Sequence, residues 1–393
     1  MNLAKLLEGP AVMKHRGVYF ESRGGSVLTP SADAFEVGSD RFGAIDQRAS
    51  DNTIQLVFTP LGVWLADVLG VLYRWANPLI GQLVTPRYDV DTVSADDDTL
   101  TLLGTVTPRI GCPVNVASDG TLPAGLAEAT LYYLGVPDPT HAPLVCTLHD
   151  TEDHAIAGTN QVDLTDVGTG NHFLIEQEPL EIWTTMNRKV TFPNAAIVGM
   201  PALQFSPIQT LLGSVTIEAF RKNNAAWSDA NSLYTVTKEV LNVTPPDSAT
   251  IPTQPYTYAF GAAPWDSFEM RAPFSFTPAL KLEPVSSDGR GIESRKISGI
   301  TVTGRGVPHG FSEQQLLDLM KIQGAGAGRG VSRVRANLDI SGTGAFARIY
   351  NAAARVVPQR FSTTDPRAGE VEFISARSPN SPAFYVGTTA PGA

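Results

Sequence analysis

Apolar and polar positions alternate with a period of two through much of this chain, the pattern of strands that bury one face. The clearest runs are "SVTIEAF" at 214–220 and "EVEFISA" at 370–376. Near the start, "GVYFES", "AFEVG" and "TIQLVFT" read as strands within residues 17–60, separated by Gly, Ser, Asp and Asn. Residues 1–13 read as a short arm. The period changes at Leu61. "LGVWLADVLGVLYRWA" is the longest apolar stretch, but it contains Asp67 and Arg74, so it predicts an amphipathic helix at about 62–75 that Pro78 stops. A second helix is expected in "FSEQQLLDLMK" at 311–321, where Ser312 and Gln315 form a capping box. Upstream of it, "ALKLEPVSSDGRGIESRKISGITVTG" reads as a hairpin turning at "SSDGRG".

The strand pattern repeats. "NAAIVGMPALQFSPIQTLLGSVTIEAFR" at 194–221 is echoed by "NAAARVVPQRFSTTDPRAGEVEFISAR" at 351–377. Both open Asn-Ala-Ala, carry a Pro and a Phe-Ser pair, and keep the same spacing from Phe to Gly to Arg. One residue of slack between Asn-Ala-Ala and Phe-Ser is the only gap. A second echo, Phe-Thr-Pro, lies upstream at 58–60 and 276–278. Two echoes in one order predict a duplicated domain. By these marks the repeats are unequal, because Phe-Thr-Pro precedes the helix almost directly in the first, while a long hairpin intervenes in the second.

Between Phe-Thr-Pro and Asn-Ala-Ala of the first repeat the texture changes. Short segments at regular spacing, broken by Gly, Pro and Asp, predict a small all-β module inserted on a surface loop. The expected organisation is a discontinuous first domain (1–90 and 181–222), an inserted β module (91–180), a linker (223–255) containing the strand "LYTVTKEVLNV", a second domain (256–378) and a mobile tail (379–393).

Composition supports a β-rich, multidomain chain. Of its 393 residues 42% are hydrophobic and only 17% charged, with 35 Gly and 29 Pro to make turns. Sparse charge points to surface covered by neighbouring subunits, since interface cores are depleted in charge. A net charge of −10 argues against gripping nucleic-acid phosphates. No signal-peptide h-region opens the chain and no run of 18 apolar residues predicts a membrane span. Cys112 and Cys146 make no disulfide framework and read as reduced thiols of a cytosolic product.

Three segments are tempting as chemistry. Cys146, His149 and His154, with Asp150 and Asp153, have a spacing that could seat zinc, but no matching ligand pair exists elsewhere, so a polar loop between strands is the better reading. "GAGAGRG" at 324–330 follows a helix instead of opening one, and reads as a helix exit or subunit-contact loop. "SADDDT" at 94–99 lacks the spaced ligands of a calcium loop and reads as a solvated turn. No nucleophile elbow or His-centred constellation stands out. No catalytic, cofactor-binding or metal-ligating residue is assigned, and no enzyme activity or cofactor is expected.

The frame "NAAIVGMPALQFSPIQTLLGSVTIEAFRKNNAAW", with "FGAIDQRASDNTIQLVFTPLGVW" and "FTPALKLEPVSSDGRGIESRKISGITVTGRGVP", resembles the major tail proteins that build the tail tube of long-tailed, non-contractile phages. "GTLPAGLAEATLYYLGV" and "DLTDVGTGNHF" resemble a recurring β module of phage structural proteins. The resemblance covers most of residues 15–378. It implies a mainly β fold: two tandem tail-tube-like sandwich or barrel domains, each with a flanking helix, plus the inserted module on the outer surface. It implies self-assembly into rings that stack as a tube for DNA delivery, with residues 280–304 reaching the next ring. If a ring takes six tube folds and each chain carries two, three chains close it as a pseudo-sixfold trimer; a hexameric ring is the alternative. Loops 284–297 and 323–333 would order on assembly. The implied partners are tape-measure, tail-tip and tail-terminator proteins and passing viral DNA, located in the virion tail and, during assembly, in the host cytoplasm. An acidic lumen would repel phosphate, or the acidity only keeps the subunit soluble. The other readings are a receptor- or glycan-binding tail protein that uses the β module, and a hydrolase acting on cell-surface polymer, for which no local motif argues.

Overall fold

The computed structural model describes residues 11–22, 26–31, 34–39, 43–49, 53–61, 64–78, 80–85, 87–103, 108, 110–128, 130–135, 144–206, 210–220, 233–241, 255–261, 265–271, 273–287, 291–309, 335–356, 370–375 and 382–391. The protein is mainly β.

The first repeat is two sheets. Ala11–His15 buries alternate residues and turns back into Val18–Glu21 through Arg16 and Gly17, both at positive φ, as the tightest hairpin turn demands. Residues 11–13, expected in an arm, are thus part of a strand. Leu180–Thr184, Arg188–Phe192 and Thr235–Lys238 complete this five-stranded sheet. Pro193 breaks the chain after Arg188–Phe192, and Asn194–Gly199 then enters a second sheet with Val215–Phe220, Thr53–Phe58 and Val27–Ser31. The helix is shorter than its apolar pattern, Ala66–Leu72 followed by a single 3-10 turn at Arg74–Ala76. It buries Val68, Leu69, Val71 and Leu72.

The described strands of the second repeat follow the same order. Phe274–Ser287, Gly291–Gly306, Val371–Ser375 and Ala345–Val356 match the four-stranded sheet, and Arg335–Gly342, Thr257–Phe260 and Phe384–Gly387 continue it. Ala345–Val356 runs through both sheets because Tyr350 stands where the first repeat has Pro193.

Register establishes the equivalence residue by residue. Ala195 lies opposite Ala219 and Ala196 opposite Glu218; Ala352 lies opposite Ser375 and Ala353 opposite Ile374. These are the same positions of the two phrases. The one-residue slack is a β-bulge: Ile197↔Ile217 is followed by Gly199↔Thr216, whereas Ala354↔Phe373 runs straight on to Arg355↔Glu372. The hairpins match without a gap at a constant offset of 248 residues, Val27 to Ser275 and Val57 to Arg305. Even their bulges coincide, between Val37 and Gly38 and between Val285 and Ser286. Both turns read Ser-Asp-x-x-Gly, at 39–43 and 287–291.

This register corrects the second echo. Phe276-Thr277-Pro278 corresponds to Leu28-Thr29-Pro30, not to Phe58-Thr59-Pro60. Pro60 corresponds to Pro308, each bridged to a residue at the end of a preceding strand, Ser22 and Met270. The long hairpin is therefore common to both repeats; the helix expected at 311–321 lies outside the described residues.

The expected linker and tail also change. Thr235–Lys238 pairs with Arg188–Phe192, and Phe384–Gly387 pairs with residues 346–349. Val236 faces Val190 and Val386 faces Ala347, again equivalent positions. Each is the closing strand of its repeat. Phe384 is fully buried between Tyr73 and Phe276, so the end of the chain belongs to the core.

The inserted module is a closed six-stranded barrel, in the order Leu131–Gly135, Val145–His149, Thr99–Leu102, Arg87–Ser94, His172–Glu176, Pro113–Ser118. Closure leaves no open edge. Its core, which includes Leu100, Val114, Leu134, Cys146, Leu148 and Leu174, is separate from the single core shared by the two repeats.

Candidate assembly interface

The most informative surface is the joint between the repeats. Leu203–Phe205, from the first repeat, adds antiparallel to the outer edge of Phe274–Ser287, with Leu203 opposite Phe276, Gln204 opposite Ser275 and Phe205 opposite Phe274. Leu203, Phe205, Phe274 and Phe276 are all fully buried, and the Phe205 ring meets Tyr256 edge-on at 5.1 Å. The ladder is three residues long because Pro278, two residues on, has no N–H to extend it. This is strand addition, in which main-chain bonds give cohesion and alternate side chains give specificity.

Further contacts tie the repeats together. Residues 81–84 lie along the second hairpin, with Gly81 N donating to Ile297 O (2.8 Å) and Val84 N to Arg295 O (2.8 Å). The Thr85 and Ser294 hydroxyls bond at 2.6 Å. Arg295 forks onto the wholly buried Glu218, Nε to Oε2 at 2.5 Å and Nη2 to Oε1 at 2.7 Å. The first helix region reaches the second repeat as well, through Trp64 Nε1 donating to Gly344 O (2.9 Å).

Among the described residues the equivalent edge of the first repeat carries no further strand. Val27–Ser31 pairs on its inner side with Thr53–Phe58, and among the described residues no strand lies on its outer side. Val27 is 62% exposed, the Cβ-branched side chain of an unpaired edge. Nothing in its local sequence marks it; only the register with Ser275 does.

The residues considered for chemistry go elsewhere. Cys146 is inside the barrel and its Sγ donates to Leu100 O; burial pushes its thiol up to about 12, so it stays protonated. His149 is buried, bonded to the Thr159 carbonyl (2.6 Å) and Thr147 Oγ1 (2.8 Å). The expected loop is instead the strand Val145–His149 and a short helix, Glu152–Ala157, capped by Thr151 and ended by Gly158 at positive φ. His154 pairs with Asp150 at the surface. Among the described residues no three metal-ligating side chains converge. The 94–99 segment is the turn of a barrel hairpin, its Asp98 carboxylate accepting from Leu164 N (2.7 Å). The 324–330 loop lies outside the described residues. Among the described residues no helix is long and apolar enough to cross a membrane.

The barrel is rooted by charge. Glu178 accepts from both Arg16 and Arg74, and Glu176 from Arg16 (3.2 Å) and from the Tyr88 hydroxyl (2.7 Å). Burial, then the neighbouring Arg16, bring Arg74 down to about 10. His15 sits beneath this cluster, held down to about 3 by burial and by Arg16. On the second repeat, Glu372 lies between Arg305 and Arg355; burial works to raise its pKa, but the two guanidiniums hold it below the ordinary carboxylate value.

The chain matches no family model and no curated protein.

Proposed function

We propose that this chain is a structural subunit that polymerises into stacked rings forming a phage tail tube, a conduit for DNA delivery. One observation supports it above the rest: a single chain holds two sheets in the same register, joined edge to edge by strand addition. Such a joint is heterologous, because donor and acceptor are different surfaces, and heterologous joints between copies propagate into a ring where the rotation closes and into an open filament where it does not. Six folds to a ring would take three chains, a pseudo-sixfold trimer, with six complete chains as the alternative. The tail-protein resemblance supplies the tube, its tape-measure, tail-tip and terminator partners, and its place in the virion tail after assembly in the host cytoplasm. The role is architectural and needs no catalysis. The barrel, with its own core and closed edges, decorates the outside.

Negative-stain electron microscopy of the purified, concentrated protein tests this. Hollow tubes or stacked rings with three chains per layer are expected. Six complete chains per layer would sink the trimer. Compact particles that never stack, even with tail-tip proteins added, would favour a receptor- or glycan-binding role for the barrel.

A further inference from the structure

We infer that the barrel is an anionic shield: it carries the whole net negative charge of the chain and holds copies of the chain apart by like-charge repulsion, so that they do not adhere side by side. That the shielded object is a polymer rests on the reading above. Charge and fold divide at the same places. Residues 87–176 hold 14 of the 39 acidic side chains and only 2 of the 29 basic ones, with no lysine, a net −12. The rest of the chain holds 25 acidic and 27 basic side chains, a net +2. The barrel has a core of its own, so this charge belongs to a folding unit and not to a loop.

The carboxylates are spread over the barrel and do not meet at one place. Asp91 lies on the strand Arg87–Ser94, Asp96 in the turn after it, Asp119 beyond Pro113–Ser118, Asp153 on the short helix, and Glu128 and Asp163 in loops; all six are exposed. Among the described residues no three metal-ligating side chains converge, so the arrangement makes a field and not a ligand set. Arg87, the one Arg or Lys of the barrel among the described residues, is already paired with Asp89 (3.2 Å). The repeats lack any such protection, because a net charge near zero promotes association. Carboxylates supply it well, since added Asp and Glu raise solubility more than added Lys and Arg do. The strand-addition joint lies in the near-neutral repeats, where the repulsion is weakest. The acidity of the chain therefore gives no argument for an acidic lumen, because the repeats carry none of the excess.

The test is static light scattering of the dilute full chain, wild type against the variant D91K/D96K/E128K/D163K, followed by negative-stain imaging of both after concentration. The four substitutions bring the barrel to −4 and the chain to −2. Each protein is measured at ionic strengths of about 0.01 M and 1 M, where charges are felt over about 30 Å and 3 Å. The wild type should have a positive second virial coefficient at low salt that falls to zero or below at high salt. The variant should keep its circular dichroism, have a coefficient at or below zero at both salts, and give bundles where the wild type gives single tubes. The chain with 87–176 replaced by a short linker should behave as this variant does. A wild-type coefficient that ignores salt overturns the shield, and this arm needs no variant to fold. So does a folded variant, or a chain without the barrel, that stays as dispersed as the wild type at low salt. Single tubes from every protein with unchanged coefficients would overturn the shield and leave the polymer standing. The expected change of sign, with only compact particles on the grid, would support the shield and overturn the polymer.

Discussion

Val27 and Ser275 hold the same position on two equivalent strands, yet among the described residues only Ser275 has a further strand on its outer side. Fusing two folds in one chain makes one of their joints intramolecular, with an effective concentration that no free subunit reaches. The fused joint tolerates a buried charge pair, because folding assembles it once. Glu218 is wholly buried there and both its oxygens are taken by Arg295.

That pair gives the first prediction. Glu218→Ala strands the Arg295 guanidinium in the joint and should lower stability by about 3–5 kcal/mol, the usual effect of removing one partner of a buried pair. The double variant E218L/R295M should return to about the wild-type value, since an apolar pair of similar volume avoids the desolvation. Urea unfolding of the three proteins measures this. Equal loss in the single and double variants would show that side-chain packing, not charge, carries the joint.

The end of the chain gives the second. Phe384 fills a pocket made by Tyr73 of the first repeat and Phe276 of the second, with ring centroids at 5.9 and 5.5 Å. Phe384→Ala should destabilise by about 3–5 kcal/mol, and truncation after residue 381 should leave no cooperative thermal transition for the repeats. A truncated chain that melts like the full one would return this segment to the status of a tail.

Some of this was legible in the sequence, and the reasons are local. Asn-Ala-Ala survives in both repeats where Ala195, Ala196 and Ala352 are sealed inside the core, leaving no room for larger side chains. Phe-Thr-Pro misled because three common strand and turn residues match by accident, while the true counterpart wears Leu28 in place of Phe276. Thr235–Lys238 was read as a strand but left in a linker, and Phe384–Gly387 was left in a tail whose flanks are rich in Pro, Gly and Ser; their partners are distant in sequence, and composition does not report long-range pairing. The barrel's short strands were legible, its closure was not. The open edge was the least visible feature, because an edge is defined by the neighbour it lacks.

The third prediction concerns the barrel. A deletion at the bounds expected from sequence, 91–180, would cut the strand Arg87–Ser94 and remove Glu178, which anchors Arg16 and Arg74. The barrel's own bounds, Arg87 to Glu176, cut no strand and leave Glu178 with the repeats. A fragment of residues 86–177 should fold alone, with β circular dichroism and one cooperative melt, because its core is separate from that of the repeats. Replacing 87–176 by a short linker should leave assembly intact if the barrel is a decoration. Loss of tubes in that variant, with the repeats still folded, would make the barrel a structural part of the polymer.

The last prediction is a pH dependence set at the root of the barrel. His15 is buried and neutral, with Arg16 and Arg74 nearby and Glu178 3.7 Å from its Nε2; burial first, then Arg16, lower its pKa from 6.5 to about 3. Between those values the unfolded chain holds a proton at this site and the folded chain does not. Stability therefore rises with pH across that window, by about 1.4 kcal/mol per pH unit from this group, and the term is flat above about 6.5. In the second repeat the same position, opposite Leu338 as His15 is opposite Leu180, is held by Phe260. His15→Phe copies that solution and should remove the slope while preserving the fold, so the variant should gain on the wild type as pH falls from 6.5 toward 4. Parallel stability curves for the two proteins over this range would mean that His15 titrates alike in both states, and that Glu178 and the two arginines accommodate its charge.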